Sequence, residues 1–166
     1  MKNLISIKIR KLGKSDFPGL KSLITGIQNF KNEEKVCALE LIDYALKNKN
    51  QSDYIIYIAE SGKNITGFII YGWIDLTKGC YDLYWIATHK KFRKIGSGKK
   101  LMERMEKDIK KHKGRSIFIE TSSKTNYLSA RKFYTSCGYH KEACIKSFYD
   151  KNDDKIIYRK DIRSSE

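Results

Sequence analysis

The chain has 166 residues, a length suited to one domain with a single hydrophobic core. Lysine and arginine outnumber aspartate and glutamate by 34 to 19, and the resulting net charge of +15 favours an anionic partner without identifying it. No apolar run is long enough to cross a bilayer, and charges interrupt residues 1–10 where a signal peptide would be apolar, so we expect a cytoplasmic protein with no membrane partner.

The first half of the chain predicts a strand, two helices and a hairpin. The strand has apolar residues in alternation: Ile5, Ile7 and Ile9. The first helix has Ser15 or Asp16 as its cap and Pro18 in its first turn. The second helix has apolar residues three or four positions apart: Val36, Leu39, Ile42 and Leu46. Tyr54–Glu60 and Ile65–Ile74 then form an antiparallel hairpin.

The second half alternates strands with helices. The predicted elements are a strand at Cys80–Thr88, a helix from about Gly98 to Lys111, a strand at Ser116–Thr121, a helix at Leu128–Cys137, and strands at Tyr139–Phe148 and Lys155–Lys160. The basic cluster Lys110–Arg115 ends the first of these helices, where Gly114 can supply a left-handed cap, and we favour this interpretation over a nucleic-acid patch. The order of elements predicts an α/β fold with a mixed sheet covered on both faces.

Cysteine and histidine spacing points away from disulfides and metals. The four cysteines form no Cys-x-x-Cys pair and lie in apolar elements, so we expect buried thiols: Cys37, Cys80, Cys137 and Cys144. The three histidines lack ligand spacing, and we therefore expect no metal cofactor: His89, His112 and His140.

The run Arg93-Lys94-Ile95-Gly96-Ser97-Gly98 is a candidate phosphate cradle because it joins a buried strand to an amphipathic helix. Glycines let backbone amides approach an anion, and the helix directs its positive end to the same point. The P-loop pattern fails, because Arg93 replaces its first glycine and Lys100 its Ser or Thr. The dinucleotide fingerprint also fails, because Leu101 replaces its third glycine.

The run Arg-x-x-Gly-x-Gly, with the strand before it and the helix after it, resembles the signature of the GNAT acyltransferases. A later segment of that family also has counterparts here: Asn126, Ala130, Phe133, Tyr134, Gly138 and Tyr139. The resemblance covers about Cys80–Lys160. It implies a single GNAT N-acetyltransferase domain over residues 1–166, in the acyl-CoA N-acyltransferase fold of about seven strands and about four helices, with acetyl-CoA as co-substrate.

The resemblance also implies which residues hold acetyl-CoA. The backbone of Ile86, Ala87 and Thr88 would pair with the pantetheine arm. The loop would bind the pyrophosphate through Arg93, Lys94, Ile95, Gly96, Ser97, Gly98 and Lys99. Asn126 resembles an asparagine that hydrogen-bonds the pantetheine, although a helix cap within Ser122–Asn126 is an alternative explanation.

Catalytic roles follow from the same resemblance. Tyr134 lies where family members place a hydroxyl near the CoA sulfur, and a phenol that is protonated at neutral pH can donate a proton to the departing thiolate. Asp82 and Glu120 are the two candidate bases for removing a proton from the amine. The alternatives are that Tyr134 belongs to a buried helix face and that the carboxylates are solvated strand ends.

We therefore expect an N-acetyltransferase that passes the acetyl group directly to a primary amine of a small molecule, peptide or protein. No cysteine lies beside a histidine base in the sequence, so an acetyl-cysteine intermediate has no support. Two alternatives stay open: a basic module that binds nucleic acid, and a CoA-binding sensor without turnover. Association of two chains into a homodimer through the last strands is also open.

Overall fold

The computed structural model describes residues 6–162, which form seven strands and four α-helices. In chain order these are β1 (Lys8–Lys11), α1 (Phe17–Thr25), α2 (Asn32–Lys47), β2 (Ile55–Ser61), β3 (Asn64–Trp73), β4 (Cys80–Thr88), α3 (Ser97–Lys111), β5 (Ser116–Ser122), α4 (Leu128–Ser136), β6 (His140–Asp150) and β7 (Asp153–Asp161). The sheet has the order β1-β2-β3-β4-β5-β7-β6, and β4 and β5 are parallel. This architecture confirms the predicted α/β fold with a mixed sheet.

The chain divides into two compact units, and the divisions fall inside β4 and inside α3. Unit 1 comprises the described residues up to Gly72 together with Trp85–Met105. Unit 2 comprises Trp73–Tyr84 and the described residues from Glu106 onward.

Unit 1 has its core where α1 and α2 pack on the β2–β3 hairpin. The buried side chains of this core are Leu20, Leu23, Ile24, Ala38, Ile42, Ile56, Ile58, Phe68 and Ile70. The predicted apolar face of α2 is correct at Ile42 and wrong at Val36, whose side chain is exposed. Ala38, one helical turn before Ile42, is buried instead, because positions four apart lie on the same face.

The prediction that a side chain caps α1 is also wrong, although the position of the cap is correct. Asp16 occupies the cap position, but its carboxylate makes no capping bond to α1. It accepts a hydrogen bond from the Gly13 amide at 2.7 Å and two from the Arg10 guanidinium at 2.7 and 2.8 Å. Of the predicted first strand, Ile9 lies in β1, Ile7 precedes it, and Ile5 lies outside the described residues.

Unit 2 is built on β5, β7 and β6, with β7 antiparallel to both neighbours. The left-handed residue after α3 is Lys113, with φ of 58°, and not the predicted Gly114. The Gly114 amide donates to the Ile109 carbonyl at 2.8 Å. A Cβ at Gly114 would lie 2.3 Å from Ile109 Cγ2 and 2.9 Å from Tyr81 Cε2, so this glycine is required by close packing rather than by a positive φ.

All four cysteines are free thiols. Cys80 is buried, Cys137 and Cys144 are half-buried, and the predicted burial is wrong at Cys37, which is exposed. Within residues 6–162, no helix combines the length and the apolar character that a membrane span needs.

Candidate functional site

The glycine loop joins β4 to α3 within unit 1. A short 3-10 turn follows His89, whose Nδ1 accepts a hydrogen bond from the Lys91 amide at 3.2 Å. Lys94 and Gly96 have φ of 63° and 95°. A Cβ added at Gly96 would meet no atom within 4 Å, so the space beside this backbone is open. The chain then enters α3 at Ser97, and the first amides of that helix have no partner inside it.

Thr66 on β3 makes hydrogen bonds to both ends of this loop. Its carbonyl accepts a hydrogen bond from the His89 amide at 2.8 Å, where the loop begins. Its hydroxyl lies 2.8 Å from the Ser97 hydroxyl, where the loop ends, and donates to the Ala59 carbonyl at 3.2 Å. Both hydroxyl-bearing side chains are buried. Local sequence patterns do not indicate this role, because Thr66 is separated from the loop by more than twenty residues.

The loop presents cations that the described chain leaves unpaired. Arg93 and Lys94 are exposed, and no carboxylate in residues 6–162 forms an ion pair with either. Lys99 makes only a long contact of 4.0 Å with Glu103, one turn further along α3. Positive side chains, an open glycine and the positive end of a helix together favour binding of an anion such as a pyrophosphate.

The backbone of β4 changes its pairing before it reaches the loop. Pairing with β5 covers only Cys80–Leu83, although β4 continues to Thr88. Ile86, Ala87 and Thr88 therefore lie beyond Leu83, the last residue of β4 that pairs with β5. On β3, a Cβ at Gly67 would come within 2.8 Å of the Ala87 carbonyl oxygen, so the two backbones approach closely there.

Asp82 and Glu120 lie together in unit 2. Asp82 pairs with Phe118 across β4 and β5, which puts Glu120 two residues further along on the same face. The pKa of Asp82 is raised from its usual 3.8 to about 6, mainly by burial and also by the charge of Glu120, whereas the charge of Lys155 lowers it. Glu120 Oε2 is held by Lys155 Nζ at 2.6 Å. The two candidate bases therefore differ: one is partly buried and unpaired, and the other is an exposed member of an ion pair.

Tyr134 is buried on α4. Its ring packs against the ring of Tyr158 on β7, with centroids 5.9 Å apart. Burial raises the pKa of its phenol well above the usual 10, and the nearby Cys137 and Tyr158 act in the same direction. The Tyr134 hydroxyl has no hydrogen-bond partner in residues 6–162, and its raised pKa keeps it protonated at neutral pH.

The candidate acid and the candidate bases lie on opposite faces of unit 2. Leu83, Ile119 and Tyr158 occupy one row across β4, β5 and β7, and Tyr134 packs on that face through Tyr158. Asp82 and Glu120 alternate with this row and therefore project from the other face. A reaction that used both would have its proton donor on one side of the sheet and its proton acceptor on the other.

Asn126 lies in an exposed 3-10 turn, Thr125–Tyr127, directly before α4. The side-chain cap within Ser122–Asn126 stays a prediction; Tyr127, the N-cap residue of α4, makes no side-chain capping hydrogen bond. The turn is fixed instead by Arg131, which donates to the carbonyls of Ser122 at 2.6 Å and Lys124 at 2.8 Å. Residue patterns did not indicate Arg131, since its partners are backbone atoms.

The histidines and metal-ligand types are dispersed. In the described chain, His112 contacts the Asp108 carbonyl and His140 contacts Glu142, and no group of three His, Cys, Asp or Glu side chains is arranged to hold a metal ion. The Cys80 sulfur accepts a hydrogen bond from Arg115 at 3.4 Å, and the Cys144 thiol lies 3.6 Å from Asp154.

Comparison with known proteins places these features in a family. Residues 52–141, more than half of the chain, match the model of the acetyltransferase (GNAT) domain. No curated protein matches the sequence. A protein from Desulfovibrio desulfuricans assigned to the GNAT family is 32% identical, with a TM-score of 0.91 over 95% of this chain and 100% of that one.

More distant structures share the fold. The ribosomal-protein-S18-alanine N-acetyltransferase from Escherichia coli is 18% identical, with a TM-score of 0.75 over 97% of each chain. An aminoglycoside 6′-N-acetyltransferase complexed with coenzyme A is 16% identical, with a TM-score of 0.73 over 96% of this chain and 99% of that one.

Proposed function

The chain belongs to the GNAT family of acetyl-CoA-dependent N-acetyltransferases, and from this premise we propose that it passes the acetyl group directly to a primary amine of a small molecule, peptide or protein. The observation that carries the proposal is the glycine loop with unpaired Arg93 and Lys94 at the start of α3. That residues 1–166 act as one catalytic domain is part of the proposal, as is a cytoplasmic location, which the four free thiols support.

In this proposal the loop binds the pyrophosphate of acetyl-CoA through backbone amides and cations. The residues concerned are Arg93, Lys94, Ile95, Gly96, Ser97, Gly98 and Lys99. Open space beside Gly96 supports this assignment, because a side chain there would occupy the approach to the amides. The backbone of Ile86, Ala87 and Thr88, which β5 does not pair, would bind the pantetheine arm, and Asn126 would add a side-chain contact.

The chemistry assigned to unit 2 is proton transfer. The amine nitrogen bonds to the acetyl carbon and loses a proton, the carbon–sulfur bond breaks, and the thiolate gains a proton. We assign the donation to Tyr134, whose raised pKa keeps its hydroxyl protonated. Because Tyr134 and Asp82 lie on opposite faces of unit 2, the donor would serve the departing sulfur and the acceptor the attacking nitrogen, from the two sides of the acetyl group. We favour Asp82 over Glu120 as the proton acceptor, because a carboxyl with a pKa of about 6 is a stronger base than an ordinary one and is still ionised at pH 7.

Direct transfer is supported by the surroundings of the thiols. An acetyl-cysteine intermediate needs a thiolate activated by a neighbouring base. Arg115 donates to the Cys80 sulfur at 3.4 Å, and Cys144 lies 3.6 Å from Asp154, whose pKa is lowered. Neither contact supplies a histidine base, so the amine itself is the nucleophile in this proposal.

The partners are acetyl-CoA and an amine acceptor. Nucleic acid is a less favoured partner, since the basic cluster Lys110–Arg115 spans the end of α3, where cations complement the helix dipole. A homodimer would use β6, which is the last strand of the sheet and exposes Ile145 and Phe148. Light scattering on the purified protein decides between one chain and two.

Calorimetry with acetyl-CoA tests the proposal. We expect binding in the micromolar range for the wild type and its loss in Gly98→Glu, which places bulk and negative charge in the loop. Gln28→Glu, which adds the same charge at an exposed position outside the loop, should bind like the wild type. Absence of wild-type binding, or full binding by Gly98→Glu, would contradict the proposed cofactor site. Acceptors are then found by measuring CoA release with a panel of amines.

A further inference from the structure

The β6–β7 hairpin of unit 2 carries an irregularity that fixes an aromatic ring over a lysine. Residues 146–149 leave the regular pairing of the two strands. Asp154 holds this bulge by accepting hydrogen bonds from the Ser147 amide and from Lys146 Nζ, both at 2.9 Å. The ring of Phe148 is thereby placed with its centroid 3.9 Å from Lys155 Nζ.

Lys155 is held from two sides and is almost covered. Its ammonium lies between the Phe148 ring and the Glu120 carboxylate, which is 2.6 Å away. Only 13% of its side chain is exposed, whereas 47% of the Glu120 side chain is exposed. Lysine is rarely covered unless its charge is compensated, and here an ion pair and a cation–π contact compensate it. The Phe148 ring and the Glu120 carboxylate therefore fix the position of the Lys155 ammonium.

This arrangement separates the two carboxyls on that face. Glu120 forms an ion pair with Lys155, whereas Asp82 has no hydrogen-bond or ion-pair partner in residues 6–162. The charged groups facing Asp82 from the neighbouring strands of unit 2 are Glu120 on β5 and Lys155 on β7. Arg159, further along β7, is engaged by Asp161 at 2.8 Å and by Glu142 at 3.5 Å.

We infer that Lys155 is a positioning residue of this enzyme: held against the Phe148 ring, it keeps Glu120 in an ion pair and so leaves Asp82 as the carboxyl that takes the proton of the acceptor amine. The inference rests on the proposed function for the role of Asp82. The expected effect on the pKa of Asp82 does not depend on turnover, because removing the Lys155 ammonium leaves the charge of Glu120 uncompensated beside Asp82. The pKa of Asp82 then rises when Lys155 is neutralised and falls when Glu120 is neutralised.

The test compares Lys155→Met, Lys155→Arg and Glu120→Gln by NMR titration of the Asp82 carboxyl and by the pH profile of kcat/KM. We expect the titration midpoint to move upward in Lys155→Met, downward in Glu120→Gln, and little in Lys155→Arg, which keeps the charge. If the pKa rises by about one unit, kcat/KM of Lys155→Met falls about fivefold at pH 6 and less than twofold at pH 8.

A matched control is Lys141→Met, which removes an exposed lysine from β6 of the same hairpin, outside the bulge that places Phe148. It should leave the Asp82 midpoint unchanged. A Lys155→Met midpoint equal to that of the wild type overturns the inference, and so does a loss of about 100-fold in Glu120→Gln at every pH, which would make Glu120 the base. If the wild type turns over no amine, the proposed function fails, and the titration still decides the effect of Lys155.

Discussion

Tyr134 and Tyr158 pack ring against ring with centroids 5.9 Å apart, and neither hydroxyl has a hydrogen-bond partner in residues 6–162. Both side chains are buried to more than nine-tenths. A buried tyrosine usually pairs its hydroxyl, so this pair marks a place where a ligand group can complete the hydrogen bonding. Tyr134 is the one of the two to which we assign proton donation in the proposed function.

Replacing Tyr134 by Phe removes only the hydroxyl. We expect kcat to fall by about 100-fold, as for loss of a general acid, and the Kd for acetyl-CoA to change by less than about twofold. Steady-state kinetics and calorimetry measure the two quantities. Tyr158→Phe is the matched control, with an expected change in kcat of less than about threefold, because it keeps the packing that orients Tyr134. An unchanged kcat in Tyr134→Phe would show that Tyr134 packs in the core and does not donate the proton.

Replacing Asp82 by Asn should lower activity and raise stability. Asp82 has a folded-state pKa of about 6, above its usual 3.8, so its contribution to stability is fully present below pH 3.8 and is lost as the pH rises through 6. At pH 8 the wild type carries the cost of a partly buried charge. We expect Asp82→Asn to raise the free energy of unfolding at pH 8 by about 1 kcal/mol after allowance for solvent screening.

Urea denaturation at pH 8 and pH 4 measures this effect, which should vanish at the lower pH. The wild-type kcat/KM should fall below pH 6 as Asp82 is protonated. Equal stabilities of Asp82→Asn and the wild type at pH 8 would argue that this carboxyl is solvated and not perturbed.

Replacing Thr66 by Val should weaken acetyl-CoA binding without touching the loop. The substitution keeps the shape of the side chain and removes the hydroxyl that contacts Ser97 and the Ala59 carbonyl. We expect the Kd for acetyl-CoA to rise by about tenfold, since the loss of one buried hydrogen bond at each partner frees the end of the loop. Thr25→Val, at an exposed hydroxyl on α1, is the control for calorimetry. Wild-type affinity in Thr66→Val would show that the loop holds its geometry unaided.

Replacing Arg10 by Met should destabilise unit 1. Arg10 donates to Asp16, whose side chain is 6% exposed, and to Glu60 at 2.6 Å. The guanidinium holds the pKa of Asp16 below its usual range, so the pair stabilises the fold above pH 3.8 and the stabilisation is lost as the pH falls through the lowered pKa. We expect a loss of about 3 kcal/mol at pH 7, because a buried carboxylate is left unpaired.

The control for Arg10→Met is Lys47→Met, which breaks an exposed ion pair with Asp43 on α2 and should cost about 0.5 kcal/mol. Urea denaturation at pH 7 and pH 3 distinguishes the two variants. A loss in Arg10→Met that is the same at both values of pH would attribute the effect to packing of the arginine stem instead of its charge.

Local sequence determined the order of the elements and the position of the glycine loop. Alternation and helical spacing depend on neighbouring residues, so strands such as Cys80–Thr88 were predicted at their observed bounds. The predictions that failed concern residues with more than one possible local role, where a tertiary contact selects the role. Asp16 pairs with Arg10 instead of capping α1. Lys113 has the positive φ that was predicted for Gly114, and Gly114 is instead packed closely against Ile109 and Tyr81.

Only the tertiary structure decided how the candidate site is held and how its groups differ. Thr66 fastens the loop from a strand that is distant in sequence, and Lys155 reaches Glu120 only because β7 lies beside β5. The unequal states of Asp82 and Glu120 come from burial and from one neighbouring charge, neither of which residue type encodes. Secondary structure follows from residues that are neighbours along the chain, so the sequence determined it. The burial and ion pairing of each carboxyl depend on contacts between strands, which only the tertiary structure shows.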